Sequence, residues 1–200
     1  MMTRTLAEAA REAATCTRCR LSQGRTQVVY GVGDPDADLM FIGEGPGYHE
    51  DKQGEPFVGA AGQLLNQMLA EVGIPREDVY INNTVMCRPP GNRDPLPDET
   101  EACKPWLDER IELIDPVVLV TLGNWATRYI LGGSVSISRV RGQRFPWNGR
   151  TVIPTFHPAA ILHGGGQGSR QMAALREDFQ EIRRALDERP QPVEEQLGLF

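Results

Sequence analysis

The sequence has no long apolar run and no excess of positive charge. No segment approaches the roughly 20 apolar residues that a membrane-spanning helix requires. The segment MMTRTLAEAAREAATC lacks the apolar stretch of a secretion signal, so we expect a cytoplasmic chain without membrane association. The 21 Lys and Arg residues against 27 Asp and Glu give a formal net charge of −6, which would repel a polyanion at long range. Any contact with nucleic acid therefore requires a local basic surface.

Cysteine is also scarce, with only 4 in 200 residues. A reducing compartment disfavours disulfides, which makes metal ligation or redox chemistry the better interpretation. Cys16 and Cys19 form a C-x2-C pair after a short helix, Cys87 begins a Pro-rich loop, and Cys103 lies on the next helix. Four thiolates suit either a tetrahedral zinc ion or a cubane iron–sulfur cluster, and the spacing does not decide between them. The alternative is four unrelated buried thiols.

The hydrophobic pattern predicts one α/β domain. Three short apolar runs are typical of buried strands: 38–43, 79–81 and 117–122. Segments with helical periodicity separate them, and Asn148-Gly149 predicts the turn of a hairpin. Alternating strands and helices indicate a mostly parallel sheet covered on both faces. We place the domain at 1–188 and interpret 189–200 as a flexible tail.

Candidate functional residues follow the predicted strands. Glu44–Gly47 is a glycine loop that could cradle an anion. Phe57, between turn-forming residues, is either a stacking platform or part of the core, and Asn83 either reads the edge of an amide-containing ring or caps a turn. His157 has its backbone restricted by the proline that follows, although a lone histidine is more often structural. Because one crevice collects the carboxyl ends of parallel strands, we expect these groups to converge there.

Taken together, these motifs resemble those of the family 4 uracil-DNA glycosylases. The matching segments are Gly43–Gly47, Gly54–Gly59, Asn83, Cys87–Pro90 and His157-Pro158. The resemblance implies an α/β/α sandwich with a central four-stranded, mostly parallel sheet. It also implies a monofunctional hydrolase that flips uracil out of single- or double-stranded DNA and cleaves its N-glycosidic bond in base excision repair. The expected location is then the nucleoid.

The resemblance further implies a four-iron four-sulfur cluster held by the four cysteines, Cys16, Cys19, Cys87 and Cys103. This would decide between iron and zinc.

Recognition of the base is assigned by the same resemblance. Phe57 would stack on the extruded uracil, and Asn83 would hydrogen-bond its O4 and N3–H edge. Cytosine would leave that amide mispaired, at a cost of roughly 1–3 kcal/mol for a buried unpaired polar group. Thymine differs only by a methyl group, and Glu50 would crowd that position.

The resemblance also assigns some of the catalytic roles. His157 would donate to uracil O2 and stabilise the departing anion, helped by backbone N–H groups near Glu44 and Gly45. In the best-known uracil glycosylases an Asp orients the attacking water, but the corresponding residue here is Gly45. The general base therefore stays open between Glu44, Asn82 and Asn83.

Contact with DNA is expected from six arginines on loops and the hairpin: Arg88, Arg93, Arg139, Arg141, Arg144 and Arg170. The alternative for each is an ordinary solvated charge. The segment after His157 resembles the family's intercalation loop, in which Ile161 or Leu162 would be the wedge that fills the vacated stack.

The last five residues, Gln196–Phe200, resemble the peptide by which bacterial repair proteins bind the sliding clamp. The alternative is a terminal segment that packs on the domain.

We expect a monomer. Two other function classes are a DNA-binding module without catalysis and a redox enzyme, and no flavin or nicotinamide fingerprint supports the second.

Overall fold

The computed structural model describes residues 4–164 and 166–188, which form a three-layer α/β/α sandwich. In chain order the strands are β1 (Val32–Gly33), β2 (Leu39–Gly43), β3 (Tyr80–Asn83), β4 (Val118–Leu122), β5 (Phe145–Trp147) and β6 (Arg150–Thr155). The helices are α1 (Leu6–Ala13), α2 (Tyr48–Gln53), α3 (Ala60–Glu71), α4 (Pro97–Ile114), α5 (Gly123–Leu131), α6 (Ile137–Val140), α7 (Pro158–His163) and α8 (Arg170–Asp187). The prediction of an α/β sandwich is confirmed.

The sheet has six strands rather than the four that were predicted. Its order is β1-β3-β2-β4-β6-β5, and the four inner strands are parallel as predicted. The two additional strands are short antiparallel edges: β1 pairs with β3, and β5 pairs with β6 across the predicted Asn148-Gly149 turn. Both turn residues have positive φ, 46° and 79°, as a tight two-residue hairpin requires.

The inner strands are apolar because helices cover both faces of the sheet. Phe41 of β2 points to the face covered by α3 and α8, where it stacks on Phe179 with ring centroids 5.9 Å apart. Its neighbours Met40 and Ile42 point to the opposite face, against Leu107 of α4. Side chains of the same strand thus build both cores.

All four parallel strands end at one edge of the sheet, since Gly43 pairs with Asn83 and Leu122 pairs with Thr155. The loops that follow these ends form the candidate site. None of the helices within 4–164 and 166–188 combines the length and apolar character needed to cross a membrane. The predicted clamp-binding peptide, Gln196–Phe200, lies outside the described residues.

Candidate active site

A cavity of about 380 Å³ opens at the carboxyl edge of the sheet. It is lined by all six residues predicted to bind substrate or act in catalysis: Glu44, Gly45, Glu50, Phe57, Asn83 and His157. They come from the ends of β2, β3 and β6, from α2 and from the loop before α3. Segments that are far apart in the chain thus meet at one cavity.

Asn83 is the last residue of β3, and its side chain is buried between neighbouring elements. Within the described chain its Oδ1 has no hydrogen-bond partner. A methyl group added to Gly43 on the adjacent strand would lie within 2.8 Å of the Phe57 ring and closer still to this oxygen. Gly43 thus leaves room for the amide and the ring side by side. A buried acceptor without a partner indicates a ligand with an N–H or O–H donor.

Phe57 is held in an uncommon backbone conformation, with φ of 56°. One carboxylate oxygen of Glu50 accepts hydrogen bonds from the N–H groups of Val58 and Gly59, each at 3.0 Å. On the other side, Arg76 donates to the carbonyl oxygen of Pro56 at 3.1 Å. Glu50 therefore lines the cavity and also fixes the loop that presents the aromatic ring.

His157 follows β6 and caps α7. Its ring lies 5.6 Å from the Phe57 ring, with an angle of 29° between the planes. Its Nδ1 accepts a hydrogen bond from the backbone N–H of Ala159 at 3.2 Å, and since a backbone N–H only donates, Nδ1 carries no proton. Burial lowers the pKa of His157 to about 4, so near neutral pH the imidazole is uncharged. Its single proton is on Nε2, which is therefore a donor.

Glu44 directly follows β2 at the cavity wall. Burial, together with the hydrogen-bonded carboxyl group of Asp94, raises the pKa of Glu44 to about 7. A carboxyl group that titrates near neutrality is suited to exchange a proton with a bound water. Asp94 lies on the Pro-rich loop and was not among the predicted site residues.

Sequence reasoning also missed Arg76. Its contact with the loop before Phe57 spans 20 residues, and no local motif marks either Arg76 or Asp94. In the sequence, an arginine that will bond a distant backbone carbonyl looks the same as an arginine on the surface.

The four cysteines lie in one small core between α1, the Pro-rich loop and α4. Two N–H groups donate to their sulfur atoms: Trp106 Nε1 to Cys16 Sγ and Arg25 Nη1 to Cys87 Sγ, each at 3.3 Å. Such hydrogen bonds are typical of iron–sulfur sites. In the described part of the chain, no three His, Cys, Asp or Glu side chains are grouped so that they could hold a metal ion. A cubane cluster makes no such demand, because each thiolate bonds a different iron.

The predicted DNA-contacting arginines fall into two groups. Arg93 forms a two-pronged hydrogen-bonded pair with the buried Glu99, at 2.6 and 2.8 Å. Arg141 pairs with the buried Asp178, and Arg144 pairs with Glu181 of the same helix, α8. Three of the six arginines thus bind carboxylates of this chain.

The other arginines, Arg88, Arg139 and Arg170, lie at or near the surface. Arg88 borders the cavity, next to Pro89 in its wall.

The expectation that Ile161 inserts into DNA is not supported. Ile161 is fully buried in the core formed by α3 and α8, because it lies on the inner face of α7. Its neighbour Leu162 is 43% exposed. Only Leu162 of this pair is available as a wedge.

Comparison with known proteins gives a consistent result. A family model described as the uracil DNA glycosylase superfamily matches residues 30–183. A Type-4 uracil-DNA glycosylase from Sulfurisphaera tokodaii is 47% identical over 181 residues, which cover 86% of this chain and 80% of that protein. A Type-4 uracil-DNA glycosylase from Thermotoga maritima is 50% identical over 159 residues, 78% of this chain and 83% of that protein. A Type-5 uracil-DNA glycosylase from Thermus thermophilus is 33% identical over 164 residues, 72% and 74% of the two chains.

Proposed function

Because the chain belongs to the uracil DNA glycosylase superfamily, we propose that it excises uracil from DNA and leaves an abasic site. The observation that carries this proposal is the buried Oδ1 of Asn83, which lacks a partner in the described chain and lies beside Phe57 in a cavity at the sheet edge. The repair reaction takes place in the cytoplasm, at the nucleoid, and requires one copy of the domain 1–188.

Recognition of uracil follows from the geometry of the amide. Oδ1 of Asn83 accepts a hydrogen bond from uracil N3–H, and the amide N–H donates to O4, while the ring stacks on Phe57. Cytosine has no N3–H and places a donor at C4, so both partners of the amide would be wrong. Glu50, fixed by two backbone N–H groups, lines the same cavity and crowds the C5 methyl of thymine.

Cleavage transfers negative charge to the uracil as the bond between its N1 and the sugar C1′ breaks. Nε2–H of His157 donates to uracil O2 and stabilises that charge. A neutral donor is suited to this role, since it stays protonated on Nε2 over the whole neutral range. Gly45, whose backbone N–H is proposed to assist, lines the same cavity.

A water molecule must then bond to C1′ on the side opposite the departing base. We assign Glu44 as the group that orients this water and accepts its proton, since it lines the cavity and its pKa is raised to about 7. Asn83 is already engaged by the base in this arrangement, and Asn82 is the remaining alternative. Asn82 is fully buried and does not line the cavity, which favours Glu44.

The four cysteines would hold a four-iron four-sulfur cluster. The fit rests on their common apolar pocket and on the N–H groups of Trp106 and Arg25 that point at two of the sulfur atoms. When bound, the cluster supplies a cross-link between the segment after α1, the Pro-rich loop and α4. Arg93 and Asp94 of that loop contribute to the active site, so the cross-link holds their loop in place.

Uracil in single- and double-stranded DNA is the proposed substrate. Arg88, Arg139 and Arg170 are proposed to contact the phosphates, and Leu162 is proposed to fill the space left by the flipped base. Binding of the sliding clamp by the tail at 196–200 stays a prediction.

The test is release of uracil from a labelled oligonucleotide, followed by alkaline cleavage of the abasic site. Asn83→Ala removes two hydrogen bonds to the base, each worth about 1–3 kcal/mol, so kcat/KM should fall roughly 30-fold to 10⁴-fold. Gln63→Ala removes an exposed carboxamide from α3 and is the matched control, with unchanged activity expected. Full activity of the Asn83 variant would refute the assignment of this cavity as the uracil site.

A further inference from the structure

Tyr48 is an exposed aromatic residue that neither the fold nor the uracil site explains. It begins α2 and is 51% exposed, the largest value among the large hydrophobic side chains in the described residues. The guanidinium carbon of Arg88 lies 5.1 Å from its ring centroid, and Lys52 Nζ lies 5.8 Å from it. Both distances fall in the range of cation–π contacts. A solvent-exposed aromatic ring thus has two cations close to it.

The Tyr48 ring lies at the rim of the uracil cavity. Gly47, directly before Tyr48, and Pro89, directly after Arg88, both line that cavity. The Arg88 guanidinium is oriented by a hydrogen bond from its Nε to Asn92 Oδ1 at 2.6 Å, which leaves its other N–H groups for an outside acceptor. The ring and its cations therefore lie next to the opening through which a flipped base must enter.

A second groove continues from this point. It is lined by Arg88 together with Arg20 and Arg93, and it shares Arg93 and Pro89 with the uracil cavity. Arg20 and Arg93 are ion-paired with Asp98 and Glu99 of α4, whereas the Nε of Arg88 donates to the neutral amide of Asn92. Arg88 is thus the cation of this groove that suits a phosphate of a bound strand.

We propose that Tyr48, Arg88 and Lys52 form a second nucleobase-binding site, which holds a nucleotide next to the uracil on the same DNA strand. This inference rests on the proposed function. Flipping the uracil leaves one face of each flanking base unstacked, and Tyr48 offers a replacement surface. The cations then contact the phosphates on either side of the stacked base. An exposed aromatic face combined with backbone-directed cations is the usual arrangement for binding single-stranded nucleic acid.

The site is tested by the affinity of the full chain for a single-stranded oligonucleotide that contains 2′-fluoro-2′-deoxyuridine, whose glycosidic bond resists hydrolysis. Loss of one base–aromatic stack should weaken binding of the Tyr48→Ala variant by about 5- to 150-fold. Tyr48→Phe keeps the ring and should bind like the unchanged chain. Val117→Ala is the matched control, because this exposed apolar residue precedes β4 at the opposite edge of the sheet. Equal affinity of Tyr48→Ala and the unchanged chain would overturn the proposal.

A second measurement identifies the base that stacks. Oligonucleotides with an abasic spacer placed either 5′ or 3′ of the uracil are compared with the intact strand. For the unchanged chain, one of the two spacers should reduce affinity by the same factor as Tyr48→Ala, and that spacer should cause no further loss in the variant. Equal spacer effects in both chains would show that Tyr48 does not contact a flanking base.

The two cations have their own readout in the salt dependence of binding. In the double variant Arg88→Gln, Lys52→Gln, the slope of log affinity against log salt should decrease by about 1.4, or about 0.7 for each phosphate of the single strand that is no longer neutralised. An unchanged slope would contradict the assignment of these cations to phosphates. Release of uracil from ordinary DNA by the unchanged chain is measured separately. If it fails, the proposed function is wrong, whereas the binding comparisons still report on this site.

Discussion

The substitution Gly43→Ala tests the uracil site without removing any polar or aromatic group. The added methyl group would lie 2.8 Å from two atoms of the Phe57 ring and closer than that to Asn83 Oδ1. Carbon atoms in optimal contact are about 3.5–4.0 Å apart, so the ring must move by roughly 1 Å. The Asn83 amide, which is proposed to read the base, must move with it. A single methyl group therefore displaces both recognition elements.

The expected cost is large for catalysis and moderate for stability. A displacement of about 1 Å in groups that position a substrate can lower the rate by about 100-fold. Overpacking of a core costs about 1–3 kcal/mol, which for a chain of this size corresponds to a decrease in Tm of roughly 2–12 °C. The folded fraction at 25 °C should therefore stay high while kcat/KM falls by about two orders of magnitude.

The assay is single-turnover excision of uracil from an end-labelled oligonucleotide, with thermal unfolding measured on the same preparations. Gly24→Ala is the matched control, because a methyl group there would meet no atom within 4 Å. A Gly43→Ala protein with normal kcat/KM and a normal unfolding transition would refute the placement of the Asn83 amide and the Phe57 ring around a common ligand.

Three further predictions concern the proposed general base Glu44, the proposed wedge Leu162 and the proposed cluster. Burial and Asp94 raise the pKa of Glu44 to about 7, so kcat/KM should fall about tenfold per pH unit below pH 7. Asp94→Asn should move this acidic limb of the pH profile to lower pH. An acidic limb that does not move would contradict the pairing of Glu44 with Asp94. Ile161→Ala should lower the free energy of unfolding by about 2–5 kcal/mol, whereas Leu162→Ala should change it by less than about 0.5 kcal/mol. Leu162→Ala should reduce excision of uracil from duplex DNA more than from single strands. Equal loss of excision on both substrates would argue against a wedge. A chelator that removes the proposed cluster should lower Tm by about 5–15 °C, as expected for loss of a cross-link worth about 2–4 kcal/mol. An unchanged Tm would show that no cluster on the cysteines joins these segments.

The inner part of the sheet and the location of the site were predictable from local signals. Continuous apolar runs such as Leu39–Ile42 are typical of strands that are covered on both faces of the sheet, and their burial is confirmed. Polar residues directly after such runs, including Asn83, must lie at the carboxyl edge once the strands are parallel. Convergence on one cavity follows from topology rather than from any contact between neighbours in the chain.

Of the two edge strands, β5 was predicted only through the Asn148-Gly149 turn of its hairpin and β1 was not predicted, for a physical reason. β1 has two residues and β5 has three, so neither carries a hydrophobic period of its own. Each is a strand only because an inner strand offers it unpaired backbone N–H and C=O groups. The error in strand number therefore concerns the residues whose conformation depends most on their neighbours.

The sequence by itself determined the apolar segments of the sheet, the set of cysteines and the polar residues that follow each strand, since these depend on residue type and spacing. Only the tertiary structure decided which side chains face inward. It buried Ile161 and exposed Leu162, which differ little in hydrophobicity, because the rotation of α7 on the core sets their directions. It likewise paired Arg141 with Asp178, which lies 37 residues further along the chain, because the charge of a residue does not indicate its partner until the chain is folded.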